Sequence, residues 1–110
     1  MRGGMGNMGN MQQMMKQAQQ MQEKMLKAQE DLKDKTVEAA VGGGAVVVVA
    51  NGANQIISVK IEKELVTSGD TEMLQDLLLA AVNEALNKAK EMNEIEMKKI
   101  TGGIGMPGLF

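Results

Sequence analysis

The sequence predicts an α+β fold with the element order αβββα, two long helices flanking a three-stranded antiparallel sheet. Three observations carry that prediction. From Met11 to Leu32 apolar residues recur at alternating spacings of three and four, from Thr36 to Glu62 the period falls to two and is broken by two short turn motifs, and after Met73 the helical period returns. A chain of 110 residues suits one domain. We place it at residues 11–100, between a flexible Gly/Asn/Met-rich tail at 1–10 and a Gly/Pro-containing tail at 101–110.

The first helix rests on Met11, Met14, Ala18, Met21, Met25, Ala28 and Leu32, a heptad seam with no glycine or proline in it. A helix of about 25 residues is roughly 40 Å long. Much of the seam therefore lies beyond a small domain, and it is expected to pack partly on its own chain and partly on a second copy. Opposite the seam lie Lys16, Glu23 and Glu30, while Glu23 with Lys27 and Asp31 with Lys35 are spaced as favourable i,i+4 pairs. Lys16, Lys24, Lys27, Lys33 and Lys35 have two readings, contacts to phosphates or, more commonly for a charge-laced helix, a merely solvated face. Ahead of the helix, Gly4-x-Gly6-x-x-Gly9 has the form of a dinucleotide-binding loop, but no strand precedes it and no βαβ unit follows.

The first strand alternates Val37, Ala39 and Val41 with Thr36, Glu38 and Ala40. Gly42-Gly43-Gly44 then reverses the chain, and the Lys-Ser/Thr ending of a phosphate loop is missing. Val46 to Val49 are apolar on both faces, which suits a central strand. Asn51-Gly52, extended by Ala53-Asn54, is a hairpin signal. The third strand runs from Gln55 to about Glu62, with Ile57, Val59 and Ile61 on one face. One side of this meander should be wet and the other covered. Lys63 to Thr71 reads as a connection anchored by Leu65 and Val66, in which Ser68 or Asp70 caps the second long helix. That helix carries Leu74, Leu77, Leu78, Ala81, Val82, Ala85, Ala89, Met92 and Ile95 on one stripe. Leu77 to Val82 is its richest apolar part and the expected cover of the sheet. Ala85 and Ala89 permit close helix approach, and Lys88, Lys90, Lys98 and Lys99 gather near the end where the helix dipole favours cations.

Composition narrows the chemistry. There is no Cys and no His, so disulfides, thiolate or imidazole metal sites and imidazole acid-base catalysis are excluded. The pairs Glu62/Glu64, Glu72/Asp76 and Glu91/Glu94 read as solvated charges, and no serine or threonine stands in a nucleophile motif. We expect no enzyme activity, no cofactor and no metal. No apolar run is long enough to cross a bilayer, and no signal peptide is read at the start. With 12 basic against 14 acidic side chains, a single arginine (Arg2) and one aromatic (Phe110), nucleic acid would have to be held by lysine contacts to phosphate, which position a protein without reading sequence.

Several segments, in this order and at this length, carry a resemblance: Met14-Met15-Lys16-Gln17-Ala18-Gln19-Gln20-Met21-Gln22-Glu23-Lys24-Met25, Val48-Val49-Ala50-Asn51-Gly52, Val59-Lys60-Ile61, Glu72-Met73-Leu74-Gln75-Asp76-Leu77 and Met106-Pro107-Gly108-Leu109-Phe110. Together with the glycine-rich start they make the chain resemble the YbaB/EbfC family of bacterial nucleoid-associated proteins over nearly its whole length. The resemblance implies a homodimer shaped like tweezers that binds duplex DNA in the cytoplasm and nucleoid and affects its organisation and gene expression. It implies Lys16, Lys24 and Lys27 on the first helix and Lys88, Lys90, Lys98 and Lys99 on the second as DNA-facing candidates. The alternative reading is a dimeric scaffold that engages a DNA repair or recombination protein.

Overall fold

A computed structural model describes the backbone of residues 2–102 and the side chains of residues 10–101. The order is α1 (Arg2–Asp34), β1 (Thr36–Val41), β2 (Val46–Asn51), β3 (Ile56–Ile61), α2 (Lys63–Thr67) and α3 (Thr71–Gly102). The sheet is antiparallel in the order β1-β2-β3. This is the α+β arrangement expected, with one short helix added. Residues 63–67 form a single turn too short to leave a periodic signal, and Leu65 packs against the core while Val66 stays exposed.

Two helix boundaries differ from expectation. α1 begins at Arg2 rather than Met11 and so takes in the stretch read as a flexible tail. Glycine weakens a helix without clashing in it, and a helix nucleated along the seam propagates outward one hydrogen bond at a time. α3 likewise continues through Thr101, whose hydroxyl donates to the Met97 carbonyl at 3.1 Å. Residues 103–110, with the Met106 to Phe110 ending, lie outside the described residues.

Strand register decides which side chains reach the core. Ala39 opposes Val48, and Val46, Val48 and Ala50 are fully buried with Ala81, Ala85 and Ala89 of α3. The covering stripe is therefore centred on three alanines one turn apart, beginning at Ala81 within the expected Leu77 to Val82 segment and continuing beyond it to Ala85 and Ala89. Leu77, Leu78 and Val82 only flank it, and Leu79 is exposed. Small side chains let a helix axis approach a sheet closely, and position on the stripe outweighs local hydrophobicity. α3 covers β1 and β2 but little of β3. Val59 and Ile56 oppose the buried Val48 and Ala50, yet they remain 44% and 39% exposed. Between Val49 and Ala50 the register shifts and leaves Ile57 as the additional residue on β3.

At its start α3 is capped by Asp70, whose Oδ1 accepts the Met73 amide at 3.0 Å. Ser68 supports the cap through its hydroxyl, which accepts the Asp70 amide at 3.3 Å.

Candidate nucleic-acid interface

The seam of α1 divides into two halves. Leu32 is buried, Met21, Met25 and Ala28 are half-buried, and Met11, Met14 and Ala18 are exposed. On α3 the half-buried residues past the sheet are Met92, Asn93, Glu96, Met97, Ile100 and Thr101, a helical stripe, and α3 is in contact with α1. The side chains described ahead of Met21, residues 10–20, are all exposed, so this part of the helix leaves the body of the protein as an arm.

The arm is fixed at its base by the turn between β2 and β3. The Gly52 amide donates to the Leu32 carbonyl at 2.8 Å and to the Lys35 carbonyl at 3.0 Å. Asn51, 3% exposed, donates through Nδ2 to the Lys33 carbonyl at 3.2 Å and to Gln55 Oε1 at 3.1 Å. Its Oδ1 accepts the amides of Ala53 and Gln55, both at 3.0 Å. From α3, Asn93 Nδ2 donates to the Gly52 carbonyl at 2.9 Å. Beside this joint Glu96 takes Lys35 at 3.2 Å and Lys99 at 3.4 Å, and Lys35, with Lys99 second, holds the Glu96 carboxyl below its ordinary range.

The candidate lysines fall into two groups. Lys16, Lys24 and Lys27 are exposed and make no ion pair among the described residues. At about 100° per residue they lie within roughly 80° of one another, Lys16 and Lys27 turned away from the seam and Lys24 bordering it. Lys24 and Lys27 border one shallow surface with Gln20 and Glu23. Lys90 is similarly unpaired and edges an open groove with Gly52, Ala53, Asn54, Asn93 and Glu94, and Lys98 is exposed and unpaired as well. Lys88 and Lys99 are engaged. Lys88 Nζ donates to the Glu38 carbonyl at 3.0 Å and sits 3.6 Å from Glu84, which ties α3 to β1.

The i,i+4 pairs expected on α1 are not closed. Glu23 does not take Lys27, and Lys35 takes Glu96 instead of Asp31, because α1 ends at Asp34 and Lys35 has left the helical spacing. The joint contacts missed by periodicity are those of Asn93 and Glu96. The only signal for them was two polar residues on the inner stripe of α3. Among the described residues no helix is long and apolar enough to cross a membrane.

The sequence profile described as the YbaB/EbfC DNA-binding family matches residues 8–104. A nucleoid-associated protein of Bacillus thuringiensis is 56% identical over 108 residues, covering 98% of this chain and 96% of the relative. One from Acetivibrio thermocellus is 61% identical over 87 residues, 78% of this chain and 77% of the relative. Among solved structures, that of an uncharacterized protein from Helicobacter pylori is similar with a TM-score of 0.61 at 26% identity, over 70% of this chain and 89% of the other.

Proposed function

The chain belongs to the YbaB/EbfC DNA-binding family, and from that premise we propose that it is a nucleoid-associated protein which acts as a homodimer and holds duplex DNA through backbone phosphates, altering its conformation or organisation and thereby gene expression. The observation that supports this most is the exposed set Lys16, Lys24 and Lys27 along the arm, with Lys90 and Lys98 on α3, none of which makes an ion pair among the described residues. Lysine ammonium groups neutralise phosphates as point charges and make no bidentate match to a base edge. Binding is therefore expected to show little sequence preference. Lys88 and Lys99 join the contact only by exchanging Glu84, the Glu38 carbonyl or Glu96 for phosphate.

Apolar surface argues for the second copy. The uncovered inner side of β3 and the free half of the seam both present hydrophobic side chains to water, with Met11 and Met14 at 60% and 67% exposure. Two arms would then carry two lysine faces, located with the DNA in the cytoplasm and nucleoid.

A salt series on two unrelated duplexes tests the reading. The expected result is similar affinity for both, falling with log salt by about 0.9 per phosphate neutralised. No binding at low salt would remove the proposal, and a strong preference for one duplex would remove its non-specific part. The second reading, a scaffold for a DNA repair or recombination protein, draws on the exposed methionines of the arm, which phosphate contacts leave unused. Retention of a protein partner after nuclease treatment, with no shift of bare DNA, would favour it.

A further inference from the structure

We propose that the joint at the base of α1 sets the direction of the arm for DNA binding, which makes Asn93 and Glu96 positioning residues of the lysine face; this rests on the DNA-binding reading above. The last carbonyls of a helix have no partner within it. Here those of Leu32 and Lys33, with Lys35 beyond them, are taken by Gly52 and Asn51 of the β2–β3 turn rather than left to water. The turn is itself held by Asn51 Oδ1, and Asn93 ties its Gly52 carbonyl to α3. Three elements thus meet at two residues. At Gly52 there is no slack, since a Cβ there would lie 2.6 Å from the Leu32 carbonyl oxygen.

Leverage gives the joint its importance. From Leu32 to Lys16 the helix is about 24 Å long. A rotation of roughly 10° at the joint moves Lys16 by about 4 Å, more than the rise of about 3.4 Å per phosphate along one strand. Met21 and Met25 also touch the body, but thioether side chains adapt to a shifted neighbour and do not define an angle. The directional contacts are the hydrogen bonds of Asn51, Gly52 and Asn93 and the bridge from Lys35 through Glu96 to Lys99.

The chain has no cysteine, so spin labels at Gln17→Cys on the arm and Ser58→Cys on the sheet, with labelled chains diluted into unlabelled ones, report the arm angle directly. The unsubstituted chain should give one narrow distance distribution. Asn93→Ala, which leaves the charge and every lysine untouched, should broaden it and weaken DNA binding several-fold with the same salt slope. A thermal melt followed by circular dichroism checks that the variant stays folded. Glu96→Gln supplies the second arm of the test. It raises the net charge from −2 to −1 and frees two lysines, so charge alone predicts tighter binding, whereas the joint predicts a broadened distribution with no gain in affinity. Unchanged distances in Asn93→Ala, or broadened distances with full affinity, would overturn the proposal. If the unsubstituted chain binds no duplex while its distances respond as described, the DNA reading falls and takes the assigned role with it, leaving only the joint's mechanics.

Discussion

Gly52 shows how one residue answers to two constraints of which the sequence displays only one. Asn51-Gly52 is legible as a hairpin turn from its own chemistry. That the same glycine receives the end of α1 depends on Leu32, twenty residues earlier, and no local pattern announces it. The predicted consequence is specific. Gly52→Ala places a methyl group 2.7 Å from both Leu32 Cβ and Cδ2, and overpacking of this kind costs about 1–3 kcal/mol. Urea unfolding should show it as a lowered midpoint, and an unchanged midpoint would mean that the joint is looser than described. Glu96 makes a second residue-scale prediction. Its folded pKa is depressed by Lys35 and Lys99 below the ordinary value of 4.5. The stability it contributes is therefore present above the unfolded pKa and is lost as pH falls through the lower, folded one. Thermal midpoints of the parent and of Glu96→Gln should differ at neutral pH and converge in acid. A difference that persists at pH 2 would show that the bridge is not ionic.

Elements were legible where local contacts fixed them. The seam of α1, the two-residue alternation of β1 and the triple glycine each reflect contacts made within a few residues or across one hairpin. Where tertiary packing decided, pattern misled. The sheet cover starts within Leu77 to Val82, where Ala81 is buried and Leu77, Leu78 and Val82 pack beside it, but its centre extends to the less hydrophobic Ala85 and Ala89, and Lys35 found its partner on another helix. The lysines were legible as positions, but the engagement of Lys88 with the Glu38 carbonyl was not, since it follows from how α3 lies on β1, whereas Lys99 meets Glu96 three residues earlier on the same helix. The cap of α3 is a local feature that both sequence and structure assign. Asp70→Ala should lower stability by about 1 kcal/mol, and Asp70→Asn by much less because an amide oxygen still accepts the Met73 amide. Equal losses in the two variants would locate the contribution in the dipole rather than in the hydrogen bond.

At the scale of the whole molecule, one chain is a poor globule. Its radius of gyration is 22.0 Å and it extends 81 × 25 × 16 Å, where a compact chain of this length would have a radius near 13 Å. Its buried core is built of alanines and valines, with Leu32 set apart at the joint. Few large side chains are removed from water, and much of the apolar surface that would stabilise a fold of this size is still exposed on Met11, Met14, Met15, Ile56, Ile57 and Val59. A second copy would bury what the first leaves open, and sedimentation at micromolar concentration should find a dimer. Aspartate substitutions separate the two roles of the seam. Met21→Asp with Met25→Asp strikes side chains already half-buried within the chain and should lower the unfolding midpoint at any protein concentration. Met11→Asp with Met14→Asp strikes exposed positions, so it should spare the fold of the single chain and weaken assembly only. If the outer pair instead leaves the dimer intact, the arms do not meet each other. The uncovered side of β3 would then be the contact between copies, leaving both arms free along their length for DNA.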